Sequence, residues 1–176
     1  MWDERYREKG FAYGREPNDF LRDMVDRLPV GNTLCLAEGE GRNAVFLARR
    51  GHHVTAVDLS IVGLEKANRL AAEHQVSIET IHSNLEDFKI AHNSWDAIIS
   101  IFAHLPPPLR QRLHREVVAG LRPGGIFLLE AYRPEQLKYQ TGGPPVEELM
   151  MTLESLEDEL AGLEWLHAEE LVREVR

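Results

Sequence analysis

Leu34-Cys35-Leu36-Ala37-Glu38-Gly39-Glu40-Gly41-Arg42-Asn43-Ala44 is the stretch that decides the fold. Residues 33–37 form a short apolar run between Gly31-Asn32 and Gly39, which reads as a buried strand. Residues 43–50 follow with helical spacing and close on Gly51. Between them Gly39, Gly41 and Ala44 fit G-x-G-x-x-G/A, a turn whose missing side chains let a ligand approach the backbone. The same glycines also suit a plain tight turn, so the pattern needs support from its surroundings.

The alternation of strand and helix continues outward. Residues 53–57 read as a second strand ending at Asp58, which lies 17 residues after Gly41. An acid there is placed to accept two ribose hydroxyls, or else to favour the next helix N-terminus, which Ser60 caps. That helix runs to Glu73, and residues 77–82 and 95–102 read as the third and fourth strands. Pro106-Pro107-Pro108 opens a helix to Leu121, Pro123-Gly124-Gly125 turns the chain, and residues 126–131 make a fifth strand. Strands apolar on both faces belong in a parallel sheet covered by helices on either side, and five such strand–helix repeats point to a doubly wound α/β domain. Upstream, Pro17 starts a helix with Phe20, Leu21, Met24, Val25 and Leu28 on one face, ended by Pro29. Downstream, Gly142-Gly143-Pro144-Pro145 is a loop, residues 146–160 read as a long acidic helix, and residues 163–175 as one further strand.

A chain of 176 residues makes one domain, and 43% hydrophobic with 28% charged residues is ordinary for a soluble protein. No apolar stretch approaches the roughly 18 residues that cross a bilayer, and the opening residues are charged, so neither a membrane nor a secretory route is expected. Cys35 stands alone and excludes internal disulfides, which fits a cytoplasmic location. Net charge is −9, of which −8 falls in residues 145–176. Neither part has the basic excess of a nucleic-acid binder, and no His or carboxylate spacing suggests a metal. The expected partner is a small molecule.

Charge also bears on the cofactor. Glu38 and Glu40 flank Gly39 and would repel the pyrophosphate of a dinucleotide. S-adenosylmethionine carries a sulfonium, an ammonium and one carboxylate, a net charge of about +1 that two acids favour.

Five motifs, read in order, carry a family resemblance. They are the stretch Leu34 to Gly41, Ala56-Val57-Asp58-Leu59-Ser60, Asn84-Leu85-Glu86-Asp87-Phe88, Trp95-Asp96-Ala97-Ile98-Ile99-Ser100 and Leu121-Arg122-Pro123-Gly124-Gly125. The chain resembles the class I S-adenosylmethionine-dependent methyltransferases over residues 2–175. With Trp2-Asp3-Glu4-Arg5-Tyr6 and Tyr13-Gly14 it looks most like the small tellurite-resistance and thiopurine-type members. The resemblance implies a Rossmann-like, mostly parallel sheet with helices on both faces, in one domain spanning 1–176. Within it, 1–30 would be an N-terminal flap and helix, 31–133 the cofactor-binding core, and 134–176 an acceptor-side loop, acidic helix and sixth strand.

The resemblance also implies roles. Ala37, Glu38, Gly39 and Gly41 would hold the methionine end of S-adenosylmethionine, Asp58 its ribose, and Leu59, Asn84 and Leu85 its adenine. Phe102 would lie beside the transferable methyl group, with Tyr13 in the flap. Trp2, Tyr132, Arg133, Tyr139 and Thr141 would shape the acceptor side. Three departures stand out: Cys35 where many members have Asp, Ala37 in place of the first glycine, and no sequence left for the family's final antiparallel strand. That last departure leaves the sixth strand three expected courses: to pair inward with the fifth, to pair with a second copy in a homodimer through the C-terminal sheet edge, or to fray.

Methyl transfer is a direct displacement, in which a protein mainly aligns the nucleophile and excludes water. A thiol or other soft acceptor needs no strong base; for a harder one His104, two residues past Phe102, is the candidate, though it equally suits a polar strand end. A non-catalytic cofactor-binding domain and a nicotinamide-dependent oxidoreductase are the alternatives.

Overall fold

The computed structural model describes residues 2–174. Five strands form its sheet: β1 (Asn32–Leu36), β2 (His53–Asp58), β3 (Glu79–His82), β4 (Trp95–Ile101) and β5 (Leu121–Glu130). Their order is β3-β2-β1-β4-β5 and every neighbouring pair is parallel. The chain winds from β1 outward to β3, then returns to β4 on the other side of β1. The strand order therefore reverses between β1 and β4, and a crevice opens at their carboxyl ends.

The helices follow from that winding. Helices α1 (Trp2–Arg7), α2 (Asp19–Met24), α3 (Arg42–Arg49) and α4 (Ile61–Glu73) precede β1 or connect β1, β2 and β3. Helices α5 (Pro107–Gly120) and α6 (Leu153–Glu159) lie on either side of β5 in sequence. Side chains alternate across a strand. Cys35, Ala56, Ala97 and Ile99 thus meet Leu21, Val25, Ala44 and Leu47 on one face, while Leu34, Leu36 and Ile98 meet Leu113 and Val117 on the other. Two helix layers on one parallel sheet give the doubly wound, Rossmann-like architecture expected from the sequence.

Several boundaries differ. Asn18, not Pro17, caps α2 by accepting the Leu21 N–H, and the helix tightens to a 3-10 turn at Val25–Arg27. No helix joins β3 to β4: residues 83–94 are turns, so the five expected repeats are not all complete. Pro123-Gly124-Gly125 lies inside β5 rather than before it. The strand starts at Leu121 opposite Trp95, and an irregularity in register absorbs the turn-forming residues. The acidic helix expected over 146–160 is broken. A 3-10 turn at Glu147–Leu149 and an extended Met150-Met151 precede α6, whose cap is Thr152.

Residues 163–174 form no strand; Val175 lies outside the described residues. Side chains hold this segment instead: Glu170 pairs with Arg133, Arg173 with Glu130, and His167 lies against Phe20. The sixth strand that was to offer a dimer edge is therefore missing from the described residues. No helix of the described residues is long and apolar enough to cross a membrane, and among them no three His, Cys, Asp or Glu side chains gather as metal ligands.

Candidate active site

The glycine loop leaves β1 by a sharp turn. Ala37 takes φ +51°, Gly39 +66° and Gly41 +87°. The left-handed region costs a residue with a Cβ roughly 1–2 kcal/mol, so Ala37 holds strain that the surroundings must impose. Gly41 has a second constraint: a Cβ there would lie 2.5 Å from the Ala67 Cβ of α4. Phe102, also without glycine's freedom, takes φ +54° at the end of β4. Both strands that border the crevice thus end in a left-handed residue.

Hydrogen bonds tie the loop to β2. Asp58 accepts the Gly39 N–H at 2.8 Å through one carboxylate oxygen and the Ser60 N–H at 2.7 Å through the other. Burial pushes its pKa up, and those two N–H groups pull against it. Each oxygen keeps a further lone pair for a ligand hydroxyl. Glu38 turns to the start of α3 and accepts the Asn43 and Ala44 N–H groups at 3.0 and 2.7 Å. Burial raises its pKa to about 7 against those bonds. Cys35 is buried, and burial followed by Glu38 holds its thiol well above the usual range.

Glu40, counted with Glu38 as an acid favouring a cationic cofactor, is instead buried, 2.7 Å from Lys66 Nζ, and it accepts the Ala12 N–H. Lys66 also holds the Glu8 and Gly10 carbonyls, so this pair fastens the N-terminal segment over α4. Lys66 thus neutralises Glu40, which leaves Glu38 and Asp58 as the acids at the loop without an ion-pair partner among the described residues. Tyr6, within the expected N-terminal flap, packs on the loop: a Cβ on Gly39 would come 2.7 Å from its hydroxyl oxygen. Trp2 stacks on Tyr6 at 5.7 Å, and the exposed Tyr13 ring lies under Arg5 and Arg42.

Just past the end of β2 the exposed Leu59 offers an apolar face, and its carbonyl meets Nε2 of His82, the last residue of β3, at 2.9 Å. Leu85 is buried in the core, and its carbonyl accepts from the Arg112 guanidinium. Asn84 spends its side-chain oxygen on the Glu86 N–H.

Beyond β4 three rings gather. Phe102 stacks on Tyr132 at 4.6 Å and His104 on Tyr132 at 5.5 Å. His104 Nδ1 donates to the Phe102 carbonyl at 3.0 Å and its Nε2 accepts the Tyr132 N–H at 3.0 Å. Burial lowers its pKa to about 4. A neutral ring with both nitrogens engaged joins the ends of β4 and β5; in this arrangement neither nitrogen is available to take an acceptor's proton. Arg133 likewise turns from the crevice to Glu135 and Glu170. Tyr139 is exposed, and Thr141 accepts from Gln136 in the following loop, whose Gly143 rests on Tyr132.

Sequence reasoning passed over Asn18, Asn43, Lys66 and Glu130. Only Glu130 carried a signal, an acid closing an apolar strand as Asp58 does.

Residues 34–125 match the family model described as methyltransferase domain. The carboxy-S-adenosyl-L-methionine synthase of Aeromonas hydrophila is 30% identical over 105 residues, covering 58% of this chain and 40% of that protein. The 2-heptyl-1-hydroxyquinolin-4(1H)-one methyltransferase of Mycobacteroides abscessus is 25% identical over 138 residues, 76% of this chain and 61% of that protein. The chain thus spans about half the length of these curated relatives. Among solved structures, an S-adenosylmethionine-dependent methyltransferase from Mesorhizobium loti superposes with a TM-score of 0.55 at 27% identity, over 64% of this chain and 53% of that one.

Proposed function

Because the chain belongs to the methyltransferase-domain family, we propose that it passes the methyl group of S-adenosylmethionine to a small-molecule acceptor by direct displacement. Within the family we place it with the small tellurite-resistance and thiopurine-type members, on its opening residues Trp2 to Tyr6 and Tyr13-Gly14. The observation that carries the reading is Asp58 bonded to the glycine loop: a buried carboxylate with lone pairs left, beside glycines whose added Cβ atoms would strike Tyr6 and Ala67. Those residues fit the cofactor. Asp58 would receive the ribose hydroxyls, Glu38 and the Ala37 carbonyl the ammonium, and Leu59, Asn84 and Leu85 the adenine. When bound, S-adenosylmethionine supplies an activated methyl group and a neutral leaving group.

The chain's own part is placement. Phe102 and Tyr132 form an aromatic floor on the acceptor side, and His104 locks the two strand ends that carry them. Tyr13 and Trp2 in the flap, with Tyr139 and Thr141 opposite, bound the opening and exclude water. With no free base among these residues, an acceptor that is already nucleophilic, such as a thiol, suits the site.

Calorimetric titration with S-adenosylhomocysteine tests this. Binding at micromolar strength or better is expected, with none for NAD. Asp58→Ala should weaken it by about 1.5–3 kcal/mol, roughly ten- to 150-fold. Unchanged affinity in that variant would remove Asp58 from the site.

A further inference from the structure

Glu130 closes β5 beside the crevice, its backbone carbonyl accepting the Phe102 N–H at 2.8 Å. Its side chain is 17% exposed. Oε2 accepts from Asn18 Nδ2 at 2.8 Å, and Oε1 accepts from Arg173 Nε at 3.0 Å and from the same guanidinium's Nη2. Among the described residues these bonds take three of a carboxylate's roughly four lone-pair positions. The one left belongs to Oε2, the oxygen that Arg173 does not neutralise directly.

Asn18 sets that oxygen. It is 1% exposed, and its Oδ1 caps α2 through the Leu21 N–H. Its N–H donates to Asn43 Oδ1 at 2.9 Å, and the Asn43 N–H donates to Glu38. An unbroken line of bonded groups therefore runs from the glycine loop through Asn43 and Asn18 to Glu130. A carboxylate held at two points, next to Phe102, is preorganised to take a donor.

We propose that Glu130 binds the methyl acceptor through a hydrogen-bond donor on it, an ammonium before a hydroxyl, and that Asn18 is the positioning residue that aims Oε2. The inference rests on the methyl-transfer reading and names the acceptor class: small nucleophiles that carry a cationic or neutral donor, and not an anionic group. A carboxylate on the acceptor would meet the lone pair of Oε2 with no proton between them.

Three size-matched thiols test it as acceptors of labelled methyl from S-adenosylmethionine: 2-mercaptoethylamine, 2-mercaptoethanol and mercaptoacetate. The unaltered protein should favour the amine over the acid by about tenfold or more in kcat/KM, mainly through KM. Glu130→Gln should erase most of that preference, while affinity for S-adenosylhomocysteine stays within about twofold of the original. Asn18→Ser keeps a helix-capping oxygen but loses the Nδ2 donor. It should raise KM for the amine with kcat and melting temperature nearly unchanged, a split that a purely structural role would not produce. Equal kcat/KM for the three thiols, a preference for the acid, a preference that survives Glu130→Gln, or transfer to none of them by protein that binds S-adenosylhomocysteine would each overturn the proposal. Failure to bind S-adenosylhomocysteine at all would instead overturn the methyl-transfer reading.

Discussion

Gly63 sits in the first turn of α4, and replacing it by alanine sets two effects against each other. Alanine in a helix is favoured over glycine by about 0.8–1.0 kcal/mol. Here, however, the new Cβ would lie 2.9 Å from the Gly39 carbonyl oxygen and 3.0 Å from Tyr6 Cδ2. One neighbour is backbone of the glycine loop, which already holds Asp58 through Gly39; the other belongs to a buried ring. Neither can swing aside as a flexible side chain would. Overpacking of that kind costs about 1–3 kcal/mol; with two unyielding neighbours the upper part of that range, about 2–3 kcal/mol, applies, so the net expectation is a loss of about 1–2 kcal/mol. For a chain of this length each kcal/mol moves the melting temperature about 2–4 °C, which gives a fall of about 2–8 °C. Thermal unfolding followed by circular dichroism measures it. Because the carbonyl that must move lies in the loop, affinity for S-adenosylhomocysteine should drop as well, by roughly tenfold. A melting temperature equal to or above the original, with affinity intact, would refute the claim that the helix and the loop are in contact at their limit.

Three further outcomes are expected. His104→Ala should cost less than about tenfold in turnover, not the roughly 10²–10⁴-fold of a lost general base, while lowering the melting temperature, because the ring ties the Phe102 carbonyl to the Tyr132 N–H. Glu38 has its pKa raised from 4.5 to about 7. Between those values the folded chain keeps a proton that the unfolded chain gives up, so this group makes stability fall as pH rises through that window. Urea midpoints across that range should show a shallower decline in Glu38→Gln, and an unaltered slope would exclude the assignment. Arg110→Ala should destabilise by about 3–5 kcal/mol, since it strands Glu159, whose side chain is only 6% exposed and also binds His114. Hydrogen exchange should then rise over residues 147–160, whose Glu148 and Met150 carbonyls Arg110 also holds.

What the sequence revealed and what it hid divide along chain distance. The first strand, the glycine loop and the Ser60 cap were legible because local chemistry decides them: φ at Gly39 and Gly41, and an oxygen three residues from the Gly63 N–H. Pro123-Gly124-Gly125 read as a turn because its membership of β5 is set by β4 beside it, not by its own propensities. The acidic helix read as continuous because nothing near Met150 and Met151 tells that the Tyr132 carbonyl takes the Met151 N–H and that Arg110 takes the Met150 carbonyl. Glu40 read as an acid open to a cationic cofactor because its partner Lys66 is 26 residues away. The bond between Asn18 and Glu130 spans 112 residues, and neither neighbourhood announces the other.

The reversal of strand order between β1 and β4 also bears on how the chain assembles. Asn32 finds His53 after 21 residues and Ala97 finds Ile126 after 29, but Thr33 must wait 64 residues for Ala97. Closing the longer loop costs only about 1 kcal/mol more than closing the shorter ones, yet nearby contacts form sooner and distant ones later. Two half-sheets, one ending at β3 and one spanning β4 and β5, can each take shape from their own neighbours. The crevice exists only where those halves dock. Strand pairing at either flank therefore runs ahead of ligand binding, and a chain halted between the two stages has most of a sheet and no place for a ligand.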